Sequence, residues 1–339
     1  MAQPVRSDLH IDKFLSNLSV AYMNEESSYI ADKVFPVVPV NKQSDKYAVY
    51  EKGFWFRDGA RVRAPLTKSA GGGWDMATPG TFFCEEYGFH KNIADEDKNG
   101  ADDVFNLEND ALIFILEKLR LRRELDWANK FFGTGVWTSE LQGQSVAAAV
   151  GTDEFLCWDV SGSAPVVDVK LAKRLVRILT GKKPNTLVVS ERVHDILTEH
   201  ADVQDKYKHT HVSVVTAELL AKVFEVDNYV VASAVYESAE EGATSDMGYI
   251  CGQYDALLVY SNPNPSKRTP SGGYTFRWKR PMFGGRDGER LQATIRKYRL
   301  EEALRGDCVE GSLYEDQKLV SADCGVFFDD AIAGGRGLS

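Results

Sequence analysis

The sequence predicts an α+β fold organised on one long helix, and three observations carry the prediction. Helical periodicity runs from Asp102 to Phe132, far beyond an average helix, and stops at Gly133. Over 160–262, helix-patterned and strand-patterned segments alternate. Between 45 and 92, two strand-like legs enclose a long excursion rich in Gly, Arg and aromatic residues.

Residues 1–44 have weak periodicity and one extended tract, Val34–Val40. Pro36 and Pro39 exclude a helix or a central strand there, so the segment reads as an arm lying on a surface. Within 45–92, Lys46–Glu51 reads as an outgoing strand and Thr81–Phe89 as the return, with Gly71–Gly73 a flexible point. A connection this long is uncommon in a compact domain, and a two-stranded ribbon is marginal alone. Yet it carries Phe54, Trp55, Phe56 and Trp74 beside Arg57, Arg61 and Arg63. Burial against another subunit is the economical solution. A lid over an active site in the same chain is the competing one.

In the long helix, Leu107, Ala111, Phe114, Leu121, Leu125, Ala128 and Phe132 form one row, with Lys118 its polar member. Val104, Leu112, Ile115 and Leu119 form a second. Asp102 or Asp103 caps the start and Gly133 the end, giving a rod roughly 45 Å long. Arg120 with Glu124 and Arg122 with Asp126 are i,i+4 pairs.

Gly133–Val160 is a mixed connector. Asp168–Thr180 predicts a helix with Leu171, Leu175, Ile178 and Leu179 inward, ended by Gly181. Thr186–Val189 reads as a buried strand, and Ser190 and Thr216 cap two short helices. Asn228–Val235 and Ala256–Tyr260 read as strands around a polar loop at 236–242. Further strands follow at Leu291–Tyr298, Gly311–Tyr314, Lys318–Ser321 and Val326–Phe328, then a Gly-rich tail, 333–339, expected to be disordered.

Composition narrows the function classes. The 339 residues, 43% hydrophobic and 27% charged, suit a globular chain of about two domains. No apolar run reaches eighteen residues, and the start lacks a signal peptide's apolar core. Five scattered cysteines without a CxxC read as reduced, buried thiols. A net charge of −10 argues against gripping nucleic acid by charge neutralisation. The basic stretch Lys267–Arg299 holds ten Lys or Arg, among them Arg277, Lys279 and Arg280. Its alternation of Tyr274, Phe276 and Trp278 with Arg277 and Lys279 fits a half-buried strand better than a nucleic-acid groove. Its charges are expected to meet acidic surfaces of other copies.

Catalytic signatures are lacking: no nucleophile elbow, zinc-protease helix, phosphate loop or dinucleotide fingerprint. Gly284–Gly288 leads into no helix, so it is no phosphate cradle. His194, His200, His209 and His211 lie close in sequence, and His209 with His211 could bind zinc beside Glu199, Asp202 or Asp205. The stretch around them is almost wholly polar, which a solvated loop explains, so no metal is expected. The pairs Glu85-Glu86, Glu240-Glu241, Glu301-Glu302 and Asp329-Asp330 would point to opposite faces of a strand and read as surface charge. The expectation is a non-enzyme without catalytic residues, cofactor or metal.

Taken together, the segments resemble one family, the major capsid proteins of tailed bacteriophages with the Hong Kong 97-type fold. The stretches that carry the likeness are SYIADKVFPVVPVNKQSDKYAVYEKGFWFRDGA at 28–60, the rod at 102–132, TAELLAKVFEVDNYVVASAVYESAEEG at 216–242 and YICGQYDALLVY at 249–260. The resemblance implies an N-terminal arm (1–44) and an extended loop, or E-loop (45–92), reaching over a neighbour. It implies a peripheral (P) domain (93–159 and 263–332) with spine helix 102–132, and an axial (A) domain (160–262). By the same resemblance the chain builds a shell of pentamers and hexamers with itself, a scaffolding protein, a portal and, in some members, a decoration protein. Packaged double-stranded DNA lies near without specific contacts, and no membrane is involved. The place is the virion, after assembly in the host bacterial cytoplasm. Phe54, Trp55, Phe56, Arg57, Arg61, Arg63, Trp74, Arg277, Lys279 and Arg280 become the subunit-interface candidates.

Some members join a loop Lys to a neighbour's Asn. Lys52 and Lys68 lie in the loop here, but nothing singles out a partner or a catalytic Glu, and that activity is not carried over. Some relatives carry a removable scaffolding domain before the arm. Here the loop begins soon after residue 44, so the expectation is a separately encoded scaffold. Acidic overall charge, and an N-terminus whose only basic residues in the first thirty are Arg6 and Lys13, suit a shell filled by a motor. Two readings stay beside this one: an encapsulin-like nanocompartment shell, and a soluble α/β enzyme with 45–92 as its lid.

Overall fold

The computed structural model describes residues 23–74, 76–100, 107–207, 216–264, 269–279, 286–287, 293–301 and 305–334. The expected arm before residue 23, His209, His211, Arg280 and the end of the tail lie outside the described residues. The first third holds α1 (Ala31–Val34), β1 (Val37–Val40), β2 (Ser44–Tyr50), α2 (Lys52–Phe56), β3 (Met76–Phe83), β4 (Glu85–Ala94), α3 (Asp95–Gly100) and α4 (Leu107–Phe131). Next come β5 (Ser139–Gln144), β6 (Glu154–Leu156), α5 (Pro165–Thr180), β7 (Thr186–Ser190), α6 (Glu191–Glu199), α7 (Ala201–Tyr207), α8 (Ala217–Val223) and β8 (Asn228–Ala232). The rest comprises β9 (Val235–Glu237), β10 (Met247–Tyr249), β11 (Ala256–Val259), β12 (Gly273–Trp278), β13 (Arg286–Asp287), β14 (Thr294–Arg299), β15 (Gly306–Leu319) and β16 (Gly325–Asp329).

The first sheet runs β6-β5-β16-β11-β7-β8. The middles of its central strands β7, β11 and β16 are continuously apolar because both faces are covered. Leu187, Val189, Leu258, Val326 and Phe328 face a core with Val169, Ala172 and Val176 of α5, Leu197 of α6 and Leu220 of α8. Their alternates Val188, Leu257, Val259 and Phe327 face Trp127 and Phe131 of α4, with Ile30 and Phe35 of the arm. The second sheet runs β1-β12-β15-β14-β13, with β4 also paired to β15. Ala111, Ile115 and Leu119 of α4 pack there against Ile93, Ala293 and Val309. Gly311 permits this approach, since a Cβ there would sit 2.6 Å from Ile115 Cγ2.

One helix thus serves two sheets, which explains its length. Its buried row is Ala111, Ile115, Leu119, Arg123, Trp127 and Phe131, in steps of four. Of the expected row, Ala111, Ala128 and Phe132 are buried, but Phe114 is exposed and Leu121 and Leu125 are only half-buried. The sheet below sets the helix's rotation, and the charged Arg123 hid the true row. Helix α5 is likewise turned. Val169, Ala172 and Val176 face the sheet because small and β-branched residues let the helix approach closely, so Leu171 and Ile178 point outward.

Several strands also differ from expectation. The returning leg of the ribbon is two strands, and only β3 pairs with β2, while β4 joins the second sheet. The tract with two prolines does pair, but at the edge of that sheet, parallel to β12. Gly311–Tyr314 and Lys318–Ser321 are mostly one strand, β15, because Glu315, Asp316 and Gln317 between them are buried rather than looped out. Helix α7 and hairpin β9–β10 occupy stretches that read as polar loops.

Candidate assembly surface

The ribbon β2–β3 is rooted by aromatics. The Phe82 ring stacks on Phe276 at 4.5 Å and Tyr47 stacks on the same ring at 5.6 Å. Beyond that root the chain from Glu51 to Trp74 is exposed throughout. Helix α2 presents Phe54, Trp55 and Phe56 there, Phe56 with 66% of its surface in water. Trp55 lies 6.0 Å from the Trp74 ring, and the Arg57 guanidinium 5.8 Å from that of Phe54. Val62 and Leu66 are fully exposed. Burying a side chain of this kind gains about 1.5–3 kcal/mol, so the exposed cluster favours a covering partner. The loop's contacts with its own body include Lys52 Nζ to Asp323 Oδ2 at 2.6 Å and the Phe56 ring edge against Gly181.

Among the expected interface residues, Phe54, Trp55, Phe56, Arg57 and Trp74 come together at this loop. Arg61 and Arg63 lie exposed farther along it, and Lys279 is exposed just after β12. Arg277 is a correction: only 7% of it is exposed, and its Nε donates to Glu315 Oε1 at 2.6 Å inside the same chain. Arg123 Nε lies 3.0 Å from the other Glu315 oxygen, so two buried guanidiniums share one carboxylate. Lys297 pairs with Glu108 at 2.6 Å, and Arg299 with Asp307 at 3.2 Å and also with Asp95. Arg277, Lys297 and Arg299 of the basic stretch are therefore paired within their own chain, with carboxylates of β15, α3 and α4.

Sequence reasoning missed the device that holds the arm. Both Glu124 oxygens accept backbone N–H bonds, from Ile30 at 2.9 Å and Ala31 at 3.0 Å, capping α1. Arg123 grips Asp32 of the same turn through Nη1 at 2.6 Å. Burial pushes the Glu124 carboxyl up against the pull of those donors, and lowers the Arg123 pKa to about 10. Arg120 pairs with Glu26 at 3.2 Å rather than with Glu124 as the i,i+4 spacing suggested. Arg122 and Asp126 do pair, at 2.8 Å.

One constellation imitates catalysis. Ser163 Oγ lies 3.0 Å from His200 Nε2. The Asp202 N–H donates to Nδ1 at 3.1 Å, which leaves the ring proton on Nε2, and Ser163 donates to the Val160 carbonyl at 2.7 Å. Burial holds the His200 imidazole below its ordinary pKa. A general base needs a bare nitrogen facing the hydroxyl, so this arrangement fixes a turn and activates nothing. Asp255, Asp329 and Asp330 form an acidic trio, tied internally by the Asp330 N–H to Asp255 at 3.1 Å. The five cysteines are all buried and unpaired. Among the described residues no helix is long and apolar enough to cross a membrane.

No family model matches the sequence. The major capsid protein of Burkholderia phage BcepMu is 27% identical over 277 residues, covering 79% of this chain and 84% of that protein. The major capsid protein of Pseudomonas phage JBD67 is 24% identical over 328 residues, covering 95% and 97%. A phage-related protein from Bordetella bronchiseptica superposes with a TM-score of 0.66 at 20% identity, over 91% of this chain and 94% of its own. The capsid of cyanophage P-SCSP1u gives 0.56 at 12% identity, over 97% and 98%. The SrpI encapsulin complex of Synechococcus elongatus gives 0.51 at 10% identity over 100% of both. Capsids and an encapsulin share the architecture, so the structural likenesses speak to fold alone, whereas both sequence relatives are capsid proteins. The chain has the Hong Kong 97-type fold shared by solved phage capsids and is similar along most of its length to two phage major capsid proteins.

Proposed function

We propose that copies of this chain close, as pentamers and hexamers, into the icosahedral shell of a tailed double-stranded DNA phage, and that the subunit does no chemistry of its own. The single observation that carries the reading is the loop between β2 and β3, an exposed apolar and basic arm on an otherwise well-packed body. In this reading 45–92 is the E-loop and α4 the spine. The second sheet is the core of the P domain, and 160–262 supplies most of the A domain. Phe54, Trp55, Phe56 and Trp74 are covered by a neighbour, with Arg57, Arg61, Arg63 and Lys279 at the rim of such contacts. A scaffolding protein sets the size, since small angular differences at each contact decide whether and where a lattice closes. Assembly takes place in the bacterial cytoplasm around a portal, and packaged DNA meets an acidic subunit without specific contacts.

The test replaces Phe54, Trp55 and Phe56 together by Ser. A folded, soluble subunit that no longer forms stable particles in electron micrographs is expected, because each lost anchor weakens an interface by about 1–3 kcal/mol and a shell repeats it many times. Unfolding of the subunit itself would instead assign the three rings to its own core. Particles holding cargo protein and no DNA would favour the nanocompartment reading that the encapsulin likeness keeps in view.

A further inference from the structure

Two surfaces outside the loop are left over by the fold, and they complement each other. The first is the outer face of α5. Val167, Leu171 and Ile178 lie on one helical row with Arg174 between them, and Ile178 is 81% exposed. The row is about 16 Å long. Single exposed apolar residues are ordinary, but an aligned row on a helix whose opposite face is already buried is not required by the fold. Lys170, Arg174, Arg177, Lys182 and Lys183 are exposed around it, and Glu225 lies 3.6 Å from Lys170 and 3.7 Å from Lys183.

The second surface is hairpin β9–β10. From Val235 to Met247 it holds Glu237, Glu240, Glu241 and Asp246 and no Lys or Arg. Its tip is exposed and ends in exposed Met247. Glu237 is spent holding the turn, accepting from the Asp246 and Ala239 amides and from Ser245. Glu240 and Glu241 stand at the tip.

Position ties the two together. Helix α5 covers one face of the first sheet. The hairpin leaves from the other face: Ala232 and Cys251 beside it belong to the core under α4, and Val235 is bonded to arm residue Asn24 at 2.8 and 3.0 Å. A basic, apolar surface on one side and an acidic one on the other are complementary in a head-to-tail sense, and head-to-tail contacts between identical subunits generate rings.

We propose that the outer face of α5 in one subunit docks on the β9–β10 hairpin of the next copy around the capsomer. This rests on the shell reading and adds to it the contact that closes the ring. The test uses the full chain with two charge reversals, Arg174→Glu with Arg177→Glu, and Glu240→Lys with Glu241→Lys. All four positions are exposed. Either pair alone raises the concentration needed to form capsomers, read by sedimentation, by about tenfold or more, since attraction becomes repulsion. The quadruple variant recovers assembly. An equal mixture of the two double variants also assembles, but only where the two kinds alternate, so even-numbered rings form and pentamers do not. Should a reversal disturb the circular dichroism of the subunit, Arg174→Ala with Arg177→Ala gives the same loss in smaller measure. Double variants that assemble like the unaltered chain overturn the contact. So does a folded quadruple variant that stays dispersed. An unaltered chain that never oligomerises removes the shell reading, and the contact with it.

Discussion

Glu315 is the residue on which most of the interior charge turns. It lies between Arg277 of β12 and Arg123 of α4, all three with under a tenth of their surface in water. A buried ion pair adds little over apolar packing, but removing one partner strands the other in low dielectric. Glu315→Gln removes the buried carboxylate that these two guanidiniums share, while Arg123 keeps its contact with Asp32. A loss of about 3–5 kcal/mol is expected, read as a lower urea midpoint with unchanged slope. A loss under about 1 kcal/mol would mean that water already reaches the site. The carboxylate was legible in the sequence only as a charge between two expected strands, because its two partners come from elements far away in the chain.

Among the elements, α5 shows how burial overrides local preference. An acidic residue in the first turn normally gains from the helix dipole. Asp168 sits there, yet burial raises its pKa to about 6, with Asp202 adding to the rise and the Trp158 Nε1–H donor, 3.1 Å away, opposing it. The folded state therefore holds a proton that the unfolded chain has already lost. Stability falls as pH climbs from about 4 to about 6 and levels off above, the slope having the sign of the extra proton bound when folded. Asp168→Asn keeps the acceptor for Trp158 and removes this share of the slope, while Asp255, also raised to about 6, retains its own. Allowing for partial contact with water, the variant gains about 1–2 kcal/mol at pH 7 and nothing below pH 4. Thermal melts at the two pH values check this, and equal gains at both would refute the titration account.

At the scale of the molecule, α4 couples two sheets through one continuous row, while the loop from Glu51 to Trp74 is attached mainly at its root. Trypsin should therefore cut a free subunit first at Arg57, Arg61, Arg63 or Lys68, all exposed. The halves should stay together, since β2 pairs with β3 and both legs are held at the second sheet. Assembled particles should resist the same cuts. Equal cleavage rates in particles and free subunits would contradict burial of the loop between copies.

The sequence by itself determined the elements whose pattern is periodic and whose neighbours are local. The long helix, the buried strands at Thr186 and Ala256, the ribbon with its unburied aromatics and the cysteines without partners were all readable, because each depends on spacing along the chain. Tertiary structure alone decided which face of α4 and α5 turns inward, since that depends on how closely a sheet approaches: Gly311 and Ile115 fix the first, and Val169, Ala172 and Val176 the second. It also decided the fate of the charges. Arg277 reads as a surface cation and is a buried one, and Glu124 reads as a helix-flank partner and caps the arm. Charge is marked in a sequence, but its partner is set by Coulomb attraction through space, across separations along the chain that no local pattern records.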